Sequence, residues 1–353
     1  MGFETGIIEG FFGRPWGWQV RRDYASFLVQ NHYCYYIYAP KADRILRQDW
    51  SGQWSAQAFK QLQHLGQTYH QAGLSWGLGL NLFELHCDYD TDAIATLEAK
   101  ILYLNQLQPD ILAILFDDMQ GGGAEMAQIQ ADITHRVMEL TTASTIFMCP
   151  TYYSSSSILD RLFGPRPADY LESLGRLLDS AIQIFWTGPE ICSAVYPESH
   201  LKEVGQQLGR KPYLWDNYPV NDSDRMCKFL HLRAFEHRPP QLADWTAGIA
   251  ANPMNQAYLS QIPLMTLAMS LQQQQYEPAI AFSKAAQRLC GDQFTDCLST
   301  DLKHFQDQGL EQLASDLKAQ LIQKYQAFAT PYGEEIVGWL RGEYPYSLDC
   351  LTE

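Results

Sequence analysis

At 353 residues, with 46% hydrophobic and 13% aromatic side chains, the chain can bury one extensive core, or a large core beside a small one. A formal net charge of −15 argues against nucleic acid and against anionic membrane surfaces as partners. The start, Met1-Gly2-Phe3-Glu4-Thr5, lacks the basic and apolar parts of a signal peptide, and no apolar run is long enough to span a bilayer, so a cytoplasmic protein is expected.

Short apolar runs, each followed by a segment of helical periodicity, recur along the first two thirds of the chain. Gly6 to Glu9 is the first run, with a helix from Arg21 to Asn31. Tyr35 to Ala39 precedes a helix over Ser55 to Ala72, and Leu74 to Leu80 precedes Thr91 to Leu107. Ile111 to Phe116 leads through Asp117-Asp118 to a helix from Glu125 to Thr142. Thr145 to Met148 is followed by Ala168 to Asp179, and Ile182 to Trp186 by Glu190 to Leu208. Tyr213 to Trp215 is followed by Asp224 to Leu232, and Gly248 to Ala251 by Asn255 to Leu271. Beyond these the runs stop, and Glu277 to Leu289, Leu298 to Gln308, Glu311 to Phe328 and Glu334 to Leu340 read as amphipathic helices.

Eight strand–helix repeats in about 270 residues match an α/β fold of the (β/α)8 TIM-barrel type, residues 1–270, followed by a small all-α region over 271–353. A doubly wound open sheet usually carries a Gly-rich phosphate turn, and Gly10-Phe11-Phe12-Gly13 is not one, so no dinucleotide cofactor is expected. The stretch from Leu298 to Phe328 offers a partner-facing helix through which an oligomer can form. The eight cysteines include no Cys-x-x-Cys pair and read as reduced, mostly buried thiols. His32 with Cys34, and His86 with Cys87, lack further ligands at zinc spacing, so no metal is expected.

In such a barrel chemistry sits at the C-terminal strand ends. Those ends carry Glu9-Gly10, Lys41, Asn81, Asp117-Asp118, Thr151 with Tyr152-Tyr153, Thr187, Asp216-Asn217 and Asn252. Hydroxyls, amides and carboxylates on one ring suit a polyhydroxylated ligand. Trp16, Trp18, Trp186 and Trp215 near the same rim offer either a sugar-stacking face or ordinary core packing. Two adjacent carboxylates on so apolar a strand repel, and one holds its proton more tightly, which separates an acid from a base. Both belong to one side of the substrate, which leaves no nucleophile opposite the acid, as an ordinary retaining glycosidase requires. Substrate assistance fits better: a 2-acetamido oxygen attacks the anomeric carbon, one Asp orients the amide, and the other protonates the leaving oxygen.

The motifs themselves, Ile7-Ile8-Glu9-Gly10-Phe11-Phe12-Gly13-Arg14-Pro15-Trp16, Tyr36-Ile37-Tyr38-Ala39-Pro40-Lys41 and Leu115-Phe116-Asp117-Asp118, resemble those of glycoside hydrolase family 84. Cys149-Pro150-Thr151-Tyr152-Tyr153, Trp186-Thr187-Gly188-Pro189, Trp215-Asp216-Asn217 through Asp222, and Asn252-Pro253-Met254-Asn255-Gln256-Ala257 follow in the family's order. That family holds O-GlcNAcases and bacterial β-N-acetylglucosaminidases often labelled hyaluronidases. The resemblance implies that Asp117 orients the acetamido N–H, Asp118 is general acid and then base, and Tyr153 hydrogen-bonds the acetamido oxygen. It implies that Asn217 supports the acetamido group or the Asp pair and that Trp215 walls the N-acetyl pocket. Gly10, Lys41, Asp222 and Asn252 would hold sugar hydroxyls. It implies a carbohydrate substrate, an N-acetylglucosaminide possibly borne on glycoprotein, and a retaining reaction through an oxazoline with no cofactor.

Departures from the pattern leave the hydrolytic core intact and bear on leaving-group preference, and Phe12 removes a hydroxyl near the leaving-group side. Phe12 stands where the family commonly has Tyr, Ala42 where it has Asp, and Gly79-Leu80-Asn81-Leu82-Phe83 replaces a Ser-Pro-Gly type of turn. Competing readings are an enzyme for another 2-acetamido sugar, such as a β-N-acetylgalactosaminide, and an inactive sugar-binding barrel. Taken alone, Asp222 reads as a helix cap before Met226 and Asp216 as structural. Asp88, Asp90 and Asp92 alternate like a calcium loop, but without its Gly and terminal Glu they read as a capped helix start.

Overall fold

A computed structural model describes residues 2–87, 89–121, 123–348 and 350. Eight parallel strands close into a barrel in sequence order: β1 (Glu4–Glu9), β2 (Tyr35–Tyr38), β3 (Ser75–Asn81), β4 (Ile111–Leu115), β5 (Thr145–Cys149), β6 (Gln183–Trp186), β7 (Tyr213–Asp216) and β8 (Gly248–Ala251). The expected TIM barrel with C-terminal helices is thus the observed fold. Its strands are nearly continuous apolar runs because one face looks into the barrel and the other onto helices.

The helices around it are α1 (Trp18–Gln30), α2 (Ala56–Gln71), α3 (Thr91–Asn105), α4 (Met126–Leu140), α5 (Ser157–Phe163), α6 (Tyr170–Leu177), α7 (Glu198–Leu208), α8 (Leu242–Trp245) and α9 (Ala257–Gln272). Ser55 caps α2 through its hydroxyl, and Asp90 caps α3 by accepting from Ala93 N–H at 2.9 Å. That settles Asp90 as a cap; Asp88 lies outside the described residues.

Two helical expectations give way to loops. The segment 190–197 is irregular, and α7 begins only after Pro197. Arg238 donates to the carbonyls of Ser193 and Ala194, and Asn217 donates to that of Ile191, so backbone groups that a helix would use are held elsewhere. Between 224 and 232 only a 3₁₀ turn, Met226–Lys228, forms. Leu230 N–H is taken by the Phe305 carbonyl, and Leu232 and Arg233 N–H by the Gln306 side chain.

These last contacts come from the C-terminal region, α10 (Pro278–Cys290), α11 (Asp292–Leu302), α12 (Ser315–Gln326) and α13 (Pro331–Leu340). Trp339 of α13 donates to the Cys227 carbonyl at 3.0 Å, and Glu335 accepts from Tyr258 and Leu259 N–H in the first turn of α9. The stretch read as partner-facing spends its apolar residues internally, since Leu298, Phe305, Leu321 and Tyr325 are buried within the chain. No helix among the described residues is long and apolar enough to cross a membrane.

The barrel floor is aromatic. Phe147 stacks on Phe185 with centroids 4.7 Å apart and meets Tyr213 edge-on at 4.8 Å, with Tyr35 beside them. Glycines on neighbouring strands make this possible: a Cβ on Gly248 would stand 2.4 Å from the Tyr213 ring, and one on Gly6 2.2 Å from the Tyr35 ring. Gly248→Ala is therefore expected to destabilise the fold by about 1–3 kcal/mol, the usual cost of overpacking. Urea unfolding checks this, and an unchanged midpoint would mean that the ring steps aside freely.

Candidate active site

β4 delivers Asp117 and Asp118 to the barrel mouth. Consecutive residues of a strand point to opposite faces, yet both carboxylates here turn toward one cation. The cause is backbone: Asp118 sits at φ +55°, the left-handed region, which breaks the alternation just past the strand. Lys41, from the end of β2, hydrogen-bonds the Asp117 carboxylate directly and lies 3.7 Å from that of Asp118. Asn81, the last residue of β3, donates to the Asp117 side chain and carbonyl, both at 3.1 Å. Tyr153, beyond β5, donates its hydroxyl to Asp118 Oδ1 at 3.1 Å.

These groups are buried, and burial sets the direction in which Asp118 titrates. It holds the Asp118 carboxyl above its ordinary value; Lys41 opposes this, while Asp117 adds to it. Burial alone would lower Lys41, but the two carboxylates outweigh it and the ammonium is raised. Cys149, at the end of β5, is a thiol pushed well up by burial and by the Asp117 charge. Asp222 is raised to about 6, chiefly by burial, although its carboxylate accepts Phe12 N–H at 2.7 Å.

The far wall comes from β7, β8 and β1. Trp215 meets Phe185 edge-on below it and donates Nε1–H to Asn217 Oδ1 at 2.9 Å. Asn252 donates to that same oxygen at 3.0 Å and accepts Gly10 N–H at 3.2 Å. Gly10 has to be small: a Cβ there would lie 2.5 Å from the Trp215 ring. The cleft these elements enclose, about 520 Å³ with its open mouth, brings together Gly10, Lys41, Asp117, Asp118, Tyr153, Trp215, Asn217, Asp222 and Asn252. All nine residues expected at the site line it.

Other strand-end residues hold structure instead. Glu9 forms a two-bond pair with Arg21 at 2.8 and 2.6 Å, and Asp216 does the same with Arg238 at 2.7 and 3.0 Å. Thr151 is fully buried and ties β5 to the Phe116 carbonyl at 2.7 Å. Of the four tryptophans, Trp215 alone lines this cleft; Trp16 and Trp186 are buried and their indole N–H groups are taken by Met254 O and His200 Nε2. The Met226 N–H is taken by the Ser223 hydroxyl at 3.1 Å and not by Asp222, whose carboxylate faces the cleft.

Cleft residues that the strand-end logic passed over are Cys149, Ile191, Cys192, Val220, Met226 and Cys350. Several sit in the loops misread as helix, where Pro197 was the available signal, since the residue before a proline avoids helical backbone. Cys350 arrives from the far end of the chain. Of the seven cysteines whose side chains the structure describes, only Cys149 and Cys227 are buried, so the expectation of mostly buried thiols does not hold.

Comparison with known proteins agrees with this geometry. The β-N-acetylglucosaminidase family profile matches residues 5–307. Protein O-GlcNAcase of Mus musculus is 27% identical over 281 residues, covering 75% of this chain and 30% of that protein, and the Rattus norvegicus protein matches equally. The chain thus spans under a third of the length of these curated relatives. A solved structure, a mutant O-GlcNAc hydrolase of Thermobaculum terrenum, superposes with a TM-score of 0.77 at 31% identity, covering 96% of this chain and 75% of that one. With the profile matching most of its length and the barrel in place, the chain belongs to the β-N-acetylglucosaminidase family, glycoside hydrolase family 84.

Proposed function

We propose that this protein removes terminal β-linked N-acetylglucosamine with retention of configuration, the sugar's own acetamido oxygen acting as nucleophile. The observation that carries the reading is the pair of neighbouring carboxylates turned to one side by the left-handed Asp118. Asp117 then orients the amide N–H and raises the nucleophilicity of its carbonyl, and Asp118 protonates the leaving oxygen. Tyr153, already bonded to Asp118, reaches the acetamido oxygen as an oxazoline forms. Asp118, now ionised, draws a proton from the water that opens the ring. Trp215 walls the N-acetyl arm, Asn217 and Asn252 fix that wall, and Gly10, Lys41 and Asp222 hold hydroxyls.

A carboxylate nucleophile is the rival chemistry, and among the described residues Asp222 is the remaining carboxylate on the cleft. Its oxygen is occupied by Phe12 N–H and its carboxyl holds a proton up to about pH 6, both of which weaken it as a nucleophile. The two routes differ in what they bind best. A thiazoline mimic of the cyclised sugar is expected to inhibit aryl N-acetylglucosaminide hydrolysis, binding at least about 100-fold more tightly than N-acetylglucosamine. Equal affinity for the two would favour the Asp222 route, and an aryl N-acetylgalactosaminide cleaved faster than its gluco epimer would reassign the sugar.

A further inference from the structure

The backbone that brings Cys350 to the cleft leaves α13 through a well-formed turn. Gly342 takes φ +75°, its N–H returns to the Trp339 carbonyl at 2.9 Å, and Glu343 N–H returns to that of Gly338 at 3.0 Å. Beyond it the chain has no regular structure and is fastened to two barrel loops. Arg14, after β1, holds its guanidinium 5.0 Å from the Tyr344 ring centroid and 3.6 Å from the Glu343 carboxylate. A Cβ on Gly13, which sits at φ +88°, would stand 3.3 Å from the Pro345 carbonyl oxygen. On the other side, after β7, the Cys227 thiol hydrogen-bonds the Tyr346 backbone. Leu348 is 82% exposed, and Cys350 lines the cleft.

The two loops that carry this strap are the ones that meet at Asp222. Phe12, one residue before Gly13, donates its N–H to the Asp222 carboxylate at 2.7 Å. Asn255 fixes the same loop by donating to the carbonyls of Phe12 and Arg14 at 2.8 and 3.1 Å. Across the seam, Met226 precedes Cys227 and lines the cleft together with Asp222. The strap therefore bridges a rigid seam, and Asp222 stands at the inner edge of that seam.

We propose that the strap, Tyr344 to Leu348 with Cys350, restricts the enzyme to a sugar unsubstituted at its 4-position by closing the cleft beyond that hydroxyl. This rests on the reading above in which Lys41 and Asp222 hold the sugar hydroxyls. Carbon 4 of a pyranose lies across the ring from the anomeric carbon, where Asp118 acts. A sugar seated with its acetamido arm at Asp117 and its far hydroxyls at Asp222 therefore points position 4 at the bridged seam. Any residue linked there has to leave through space that the strap occupies. The selection is steric: it rejects a longer chain and adds no contact to the accepted sugar. None of the strap residues touches Asp117, Asp118 or Tyr153 by a hydrogen bond or ion pair recorded among the described residues.

The test compares the full chain with one shortened after Tyr346, on nitrophenyl N-acetyl-β-glucosaminide and on the same glycoside bearing galactose at position 4. Galactose lacks the acetamido nucleophile, so nitrophenol release reports cleavage beneath the added sugar. The full chain is expected to favour the unsubstituted glycoside in kcat/KM by at least about 10³. Shortening should cut that ratio at least about tenfold, with the unsubstituted glycoside still turned over within about twofold. Comparable rates on both glycosides in the full chain would overturn the proposal. So would an unchanged ratio in the shortened chain, or one lowered only by loss on the unsubstituted glycoside, at an unchanged melting temperature. A gain confined to bulky aglycones would move the strap to the leaving-group side and overturn the assignment to position 4. Should the shortened chain fail to fold, Cys350→Ala decides: it should raise relative turnover of a 4-O-methyl glycoside at least about threefold, and no change would overturn the proposal. No turnover of the unsubstituted glycoside would refute the hydrolytic reading. S-linked forms of the pair still test the strap by calorimetry, since the galactosylated form should bind the full chain at least about tenfold more weakly and the shortened chain should narrow that gap.

Discussion

Asp118→Asn is expected to lower kcat/KM by about 10³–10⁴ on glycosides whose leaving group needs a proton, near the upper range for general acid catalysis. On a dinitrophenyl glycoside, whose aglycone departs unprotonated, kcat/KM should fall less than about tenfold, because this ratio reports only the first irreversible step. The amide introduced by this substitution also cannot take a proton from water, so kcat on that substrate should drop further, with KM falling alongside as the cyclised intermediate accumulates. The pH profile supplies an independent check. The acid must carry its proton, and burial holds that proton above the ordinary carboxylate range. Native kcat/KM should therefore decline as pH rises through the raised pKa, and this alkaline limb should vanish in Asp118→Asn assayed with the dinitrophenyl glycoside. Equal losses on both substrates would remove Asp118 from the acid role. Steady-state rates across a leaving-group series provide the measurement.

How such a site announces itself in a sequence differs from residue to residue. β4 was legible because five apolar residues in a row have few alternatives to a strand covered on both faces, and the carboxylates at its end then fall at the barrel mouth. Lys41, Tyr153, Asn217 and Asn252 followed from the same placement. The turn that aims both carboxylates at Lys41 was not legible, since strand alternation predicts divergence and only the backbone at Asp118 reverses it. Asp222 read as a helix cap in isolation, because its partner, Phe12 N–H, is 210 residues away. The same holds for the loop over 190–197, whose shape is imposed by Arg238 and Asn217 and not by its own composition.

Asp117→Asn is expected to fail differently from Asp118→Asn: kcat/KM should fall by about 10²–10⁴ on dinitrophenyl and poor-leaving-group substrates alike. The reason is geometric. Asp117 uses one oxygen for Lys41 and the other for the Asn81 amide, and each oxygen retains a second lone pair for an acetamido N–H. An asparagine in its place turns a donor toward one of two existing donors, weakens the pull on the acetamido N–H, and leaves Lys41 with only the more distant Asp118. Cyclisation is then slowed whatever the aglycone, so a better leaving group brings no relief. Binding of a thiazoline should weaken in parallel with kcat/KM, because its ring nitrogen shares a proton with the Asp117 carboxyl at the place where the acetamido nitrogen of the substrate meets it. A variant that kept full thiazoline affinity while losing turnover would place Asp117 outside the attack step and reduce it to the counter-ion of Lys41.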